Sequence, residues 1–432
     1  MAKATNAALQ ARREEAVPRG VSTMLPVFAE RAAGSEIWDI EGKRYIDFAA
    51  GIAVLNTGHN HPKIKAAVAA QLDNFSHTCF QVMPYAGYIE LAEKINAIAP
   101  IEGPAQTIFL STGAEAVENA VKIARAATGR SGIIATTGGF HGRTMMAMAL
   151  TGKVAPYKVG YGPFPSEVFH VPYPDAYHGV TVEQSLKAIN ALFKGDVDPQ
   201  RVAAIIVEPV QGEGGFVVAP TEWLQALRKL CDEHGILLIA DEIQTGFART
   251  GKMFAIEHSG VKPDLMTIAK SLAGGFPLSA VVGRKELMQA SNPGGLGGTY
   301  AGAPLACAAG LAVMDVIAEE NLVERANVLG ERLKARLNAM AAKNEFACIG
   351  EVRGVGAMVA MELVKDRTTH EPAPELTKAL VGKAAAKGLI ILSCGTYGNV
   401  IRFLAPLVIT PELLDEGLDI LESCLAELTT AA

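Results

Sequence analysis

The chain has 432 residues, half of them apolar and 19% charged, and a formal net charge of −6. That length is too great for one compact core, so two or three domains are expected, and the negative balance argues against a nucleic-acid partner. No apolar run reaches the roughly 18 residues of a membrane span, and no apolar h-region marks a secretory signal around Lys3, Arg12 and Arg13.

Residues 1–20 read as an amphipathic or frayed arm. Ile37-Trp38-Asp39-Ile40, a turn at Glu41-Gly42, and Tyr45-Ile46-Asp47-Phe48 read as a pair of strands. From His61 to Phe75 a helical period returns, with Ile64, Ala67, Val68 and Leu72 on one face. The text then alternates: strand 107–110, helix 114–128, strands 132–135 and 202–207, helix 221–234, and strands 236–240, 266–269 and 280–282. Apolar runs separated by helices predict an α/β fold whose parallel or mixed sheet is covered on both faces. Helices near 303–318 and 321–343 follow, then strand signals in 352–363 and 389–404 and a closing helix at 411–428. The expected organisation is a large domain over 61–320 and a smaller α+β domain drawn from both chain ends, 1–60 and 321–432. Six cysteines (79, 231, 307, 348, 394 and 424) lack metal-knuckle or CxxC spacing, so reduced thiols in a cytoplasmic protein are expected.

In such sheets ligands bind beyond the carboxyl ends of the strands, and the motifs gather there. Ser111-Thr112-Gly113-Ala114-Glu115 opens a helix with capping-box spacing, which on its own is an ordinary helix cap more often than a phosphate site. Phe140-His141-Gly142-Arg143 offers a ring to stack on a planar group and a guanidinium for a carboxylate, or else a core Phe and a surface Arg. Glu213 lies in the Gly-rich loop after strand 202–207. The Gly294–Gly302 loop carries Thr299, and Arg402 sits among apolar strand neighbours, where burial would demand a carboxylate; Glu213 is the natural one.

Two charges are harder to dismiss. Asp241 ends the run Ile236–Ala240, and Lys270 ends Leu265–Ala269. A carboxylate and an amine at neighbouring strand ends suit pyridoxal phosphate, which needs a lysine for its Schiff base and an acid to keep its pyridine nitrogen protonated. Gln244 is placed to bond the ring's phenolic oxygen, and Ile243 to pack on the ring face.

Taken together, the order and spacing of these loops resemble the class III (subgroup II) pyridoxal-phosphate aminotransferases of fold type I, from about residue 20 to 428. Gly51-Ile52-Ala53-Val54-Leu55-Asn56-Thr57-Gly58-His59, Ser76-His77-Thr78-Cys79-Phe80-Gln81 and Ser393-Cys394-Gly395-Thr396-Tyr397-Gly398-Asn399-Val400 are most similar to the bacterial 4-aminobutyrate branch. The Phe140–Arg143 and Glu213 loops are shared with ornithine and acetylornithine aminotransferases.

The resemblance implies a mostly parallel seven-stranded sheet between helices, and roles for individual residues. Lys270 carries the cofactor, Asp241 pairs with its pyridine nitrogen and Gln244 with its ring oxygen. Phe140 and Ile243 sandwich the ring, with His141 beside it. Gly113 and Ala114 offer amides to the phosphate, joined by Thr299 of a second subunit in a homodimer or dimer of dimers. Ile52, Gln81 and Arg143 meet substrate, and Arg402 pairs with Glu213 for one substrate and is released for the other. Ala114 stands where relatives often have Ser, and Phe140 where they often have Tyr. No metal is implied. The activity implied is transfer of the amino group of 4-aminobutyrate to 2-oxoglutarate, giving succinate semialdehyde and glutamate. The alternatives are 5-aminovalerate or another ω-amino acid of the ornithine or acetylornithine type and, more remotely, an aminomutase or a non-catalytic cofactor-binding regulator.

Overall fold

The computed structural model describes residues 5–430. Its centre is a seven-stranded sheet in the order Ala105–Leu110, Ser279–Arg284, Leu265–Ile268, Leu237–Asp241, Val202–Val207, Gly132–Thr136, Val168–Val171. Ser279–Arg284 runs antiparallel to both its neighbours, and the remaining pairings are parallel.

The side chains of these strands alternate between two cores. Leu238, Ala240, Ile205 and Val207 face one apolar cluster, while Leu237, Ile239, Ala204 and Ile206 face the other. All six residues of Val202–Val207 are buried, as a strand covered on both faces must be. Each such Val or Ile contributes roughly 1.5–3 kcal/mol by leaving water.

Local signals explain where the covering helices start and stop. Gly113–Thr128 begins in a capping box, Thr112 with Glu115, and ends at Gly129 in the left-handed region, φ 68°. Thr221–His234 ends the same way at Gly235, φ 63°.

The chain ends meet in a second sheet. Leu389–Ile390 pairs in parallel with Ile46 and Asp47 of the N-terminal strands, and Ile349–Val355, Met358–Asp366, Leu392–Cys394 and Val400–Phe403 form an antiparallel sheet nearby in sequence. The arm is a helix, Asn6–Ala16, with no buried residue; the first four positions of the expected arm lie outside the described residues.

Several elements depart from the sequence reading. On the helix Pro62–Asn74, Ile64 is buried and Ala67 and Val68 pack against the core, but Leu72 is 56% exposed, because the core ends before the helix's apolar face does. Residue 269 lies just past its strand, and Lys270 opens a short 3-10 turn, Lys270–Ala273. The helices Ala86–Ile98 and Val182–Gly195 and the strand Val168–Val171 were not anticipated. All six cysteines are free thiols, four of them buried. Among the described residues no helix is long and apolar enough to cross a membrane.

Candidate active site

Strand register brings the two conspicuous charges together. Asp241 lies opposite Thr267 in the parallel pairing, so Lys270 follows three residues after Asp241's neighbour. Both line a cavity of about 260 Å³ at the carboxyl ends of the strands, together with Ser111, Gly113, Ala114 and Phe140.

Asp241 is buried and fixed from three sides. Oδ1 accepts from the Thr267 hydroxyl at 3.0 Å and from the Ile243 amide at 3.2 Å, and Oδ2 meets His141 Nδ1 at 2.7 Å. Burial pushes His141 down, but the hydrogen bond and charge of Asp241, with Glu208 nearby, outweigh it, so its pKa is raised. A carboxylate has about four lone-pair positions, so Asp241 keeps capacity for one more donor.

The Lys270 side chain has no hydrogen bond or ion pair with a described residue. Its φ is +48°, a conformation that a side-chain-bearing residue rarely adopts. Burial, helped by the charge of Arg402, pulls its pKa down to about 8 although Glu213, Glu208 and Asp241 oppose this. A neutral amine is therefore accessible near neutrality, which is what attack on a carbonyl requires.

Glu213 and Arg402 form an ion pair through Arg402 Nη1. Arg402 is 3% exposed, and its Nε is buried with no protein partner. Burial raises the Glu213 carboxyl, but Arg402, then Lys270 and Lys153, hold it below the usual carboxylate range.

Glu208 completes the floor. One carboxylate oxygen accepts from the Phe140 amide at 2.9 Å and the other from the Gly212 amide at 3.1 Å, so it ties the Phe140 turn to the Glu213 loop. Burial raises its pKa to about 7, with His141 opposing and Asp241 adding to the rise. Sequence reasoning passed over Glu208, although it follows an all-apolar strand just as Asp241 does.

Other expected residues lie apart from the cavity. Arg143 is exposed, with its guanidinium 5.4 Å from the Tyr157 ring centre, and Ile52 is 40% exposed at φ 67°. Gln81 donates to the Leu296 carbonyl at 3.0 Å, and Thr299 is exposed. None of these four lines the cavity within its own chain. Tyr157, which sequence reading missed, packs on Phe140 at 4.9 Å and feels the charges of Glu213, Arg143 and Arg402.

The aminotransferase class III family model matches residues 16–425. The chain belongs to the class III aminotransferases. This aminotransferase is 58% identical over 424 residues to the 5-aminovalerate aminotransferase DavT of Pseudomonas aeruginosa, covering 98% of this chain and 99% of that one. It is 53% identical over 423 residues to the 4-aminobutyrate aminotransferase GabT of Escherichia coli, again covering 98% and 99%. Among solved structures it is similar to a Bacillus anthracis aminotransferase, with a TM-score of 0.90 at 31% identity over 97% of this chain and 98% of that one. An amine transaminase of an uncultivated Pseudomonas species in its PLP-bound form gives 0.87 at 31% identity, covering 96% and 97%.

Enzymes of this class depend on pyridoxal 5′-phosphate, and the cavity of this aminotransferase suits that group. The amide oxygen of Gln244 and Nε2 of His141 are buried without partners among the described residues. A Cβ on Gly113 would come within 3.0 Å of Ile243, so the glycine keeps the helix N-terminus and the Ile243 side chain close together. The lining offers a free amine, a fixed carboxylate, the apolar side chains of Phe140 and Ile243 and a helix N-terminus, which suits a flat, phosphorylated pyridine aldehyde.

Proposed function

We propose that this aminotransferase moves the amino group of an unbranched ω-amino acid of the 4-aminobutyrate and 5-aminovalerate class to 2-oxoglutarate, giving the ω-semialdehyde and glutamate. The observation that carries this reading is the buried Glu213–Arg402 pair beside Lys270. The donor has one carboxylate, far from its reacting carbon, whereas 2-oxoglutarate has a second carboxylate next to it. A site serving both needs a cation that is masked for one substrate and bare for the other.

Lys270 would carry the cofactor, Asp241 would hold the pyridine nitrogen, and the amides of Gly113 and Ala114 at the helix N-terminus would receive the phosphate. Phe140 and Ile243 would face the ring's two sides, and Gln244 would lie by its oxygen. When bound, the cofactor supplies an electron sink for the carbon that loses a proton. Lys270 moves that proton, its burial keeping the amine neutral enough to accept it. His141 buttresses Asp241, which stays oriented toward the ring. Arg143 would take the distal carboxylate with Ile52 and Gln81 nearby. Arg402 would take the α-carboxylate of 2-oxoglutarate after leaving Glu213, and its unpartnered Nε supports that use.

Thr299 and Gln81 would act in a homodimer, each reaching the partner's cavity. Their loops are joined by the His77–Tyr300 ring contact at 5.1 Å, and Val82, Met83 and Tyr300 on them are 81%, 64% and 69% exposed. Apolar exposure of that size favours burial against another copy.

The longer donor has support of its own: relatives at 58% and 56% identity, both from Pseudomonas, are 5-aminovalerate aminotransferases. One methylene separates the two donors by only about 1–3 kcal/mol in a pocket of this kind. An amino-donor panel with 2-oxoglutarate, read as glutamate formed, tests the proposal. Turnover with 4-aminobutyrate or 5-aminovalerate well above that with α-amino acids is expected. No glutamate from either donor would overturn it.

A further inference from the structure

Opening the Glu213–Arg402 pair raises a charge problem at Glu213. Its side chain is 17% exposed, and Arg402 is the one cation within ion-pair distance of it among the described residues. Breaking a buried pair is costly mainly because one charge is left uncompensated. If Arg402 turns to a substrate carboxylate, Glu213 needs another cation.

Three other cations lie around this loop. Arg353 already has its charge compensated by two carboxylates: its Nη1 donates to Glu362 at 2.7 Å and to Glu351 at 2.5 Å, and its Nε donates to the Gly215 carbonyl at 2.8 Å. Lys270 has to be neutral to carry the reacting proton, so it is a poor standing counter-charge. Lys153 is uncommitted. Its ammonium has three donors but makes one hydrogen bond, to the Gly395 carbonyl at 2.8 Å, and has no carboxylate within ion-pair distance among the described residues.

Lys153 is also held in place rather than carried on a loose loop. Gly152 before it is pinned to the Gly138–Gly139 turn by two backbone bonds of 3.1 and 2.8 Å. A Cβ on Gly152 would come within 2.3 Å of the Thr136 carbonyl, so only glycine allows this approach. The far end of Lys153 is one peptide unit from the Glu213 backbone: the same Gly395 whose carbonyl takes the ammonium donates its amide to the Glu213 carbonyl at 3.0 Å.

We propose that Lys153 is the exchange cation of the switch: it takes over Glu213 when Arg402 turns to the α-carboxylate of 2-oxoglutarate or glutamate. This rests on the reading of Glu213 and Arg402 as a switch between substrates. Lys153 is a positioning residue here; it does not line the cavity that holds Lys270 and Asp241. Its charge already helps hold the Glu213 carboxyl low against burial, behind Arg402 and Lys270. The role is specific to one half of the cycle, because an ω-amino acid leaves the Glu213–Arg402 pair closed.

The test takes the holoenzyme through each half-reaction by single-turnover rapid mixing, and measures binding of glutarate, an unreactive dicarboxylate, by calorimetry. Lys153→Met should slow the 2-oxoglutarate half and weaken glutarate by about tenfold or more, while the ω-amino acid half changes by less than about twofold. Lys153→Arg should restore both. In a Glu213→Gln background Lys153→Met should have no further effect, since no charge is left to compensate. Equal losses in both halves for Lys153→Met would make the residue merely structural and overturn the proposal. An undiminished loss in the Glu213→Gln background would overturn it too, by showing that Lys153 acts on the substrate directly. The underlying switch fails separately, if Glu213→Gln alone costs both halves equally.

Discussion

Asp241 is the last residue of an apolar strand and Glu213 lies in the loop that follows the neighbouring strand Val202–Val207, yet the two carboxylates are held in opposite ways. Asp241 has three partners, two of them within its own strand pair and turn, at 2.7 to 3.2 Å. Among the described residues Glu213 has a single side-chain partner, Arg402, 189 residues away on a strand of a different sheet. Three converging hydrogen bonds leave Asp241 one arrangement. One ion pair between sheets is the single contact that the proposed switch would have to open. In that reading Asp241 is a fixed end, suited to a resident cofactor, and Glu213 a convertible end, suited to substrates that alternate.

The largest expected effect lies at the fixed end. Lys270→Ala should lower turnover on the order of 10⁴-fold, the upper range for losing a proton carrier. Borohydride treatment of wild-type holoenzyme should leave a pyridoxyl group on the peptide containing Lys270; a mark on another lysine would break the assignment. Asp241→Asn should cost on the order of 10²–10³-fold, and single-turnover rates should fall equally in both half-reactions. Unequal falls would mean that the fixed end also discriminates between substrates.

A smaller effect follows from the amine. In the folded apoenzyme Lys270 titrates near 8, below a free lysine, and only its neutral form attacks the cofactor's aldehyde. The rate of cofactor uptake should therefore climb with pH up to about 8 and then level off. A rate still climbing tenfold per unit at pH 10 would show an ordinary, solvated lysine. The smallest effect is Thr267→Val, which removes one of the three bonds on Asp241 and should cost about 1 kcal/mol, read as a several-fold weaker cofactor affinity.

The same contrast governs what could be read before the structure. Asp241 and Lys270 were legible because each is a charge that ends an apolar run, a signal confined to six or so residues. Glu208 carries the same signal, but Pro209 and the glycines after it also mark it as the start of a loop, where a charge is usually solvated. Thr181 and Gln184 spelled a capping box that was also overlooked, and with it the helix Val182–Gly195. Tyr157 and Lys153 gave no local signal: they lie in an aperiodic stretch, and their partners Phe140 and Gly395 are set by tertiary packing. The Glu213–Arg402 contact was inferred from the need of a buried arginine for a carboxylate, and the structure places the two together. The count of seven strands came from the resemblance, because the four-residue edge strand Val168–Val171 is too short to announce itself.

The most direct measurement compares the two half-reactions of Glu213→Gln in single-turnover mixing. Removing the charge frees Arg402 permanently, so the ω-amino acid half should slow by roughly tenfold or more while the 2-oxoglutarate half stays near wild type. Equal losses in both halves would contradict a convertible end and leave Glu213 and Arg402 as a structural pair.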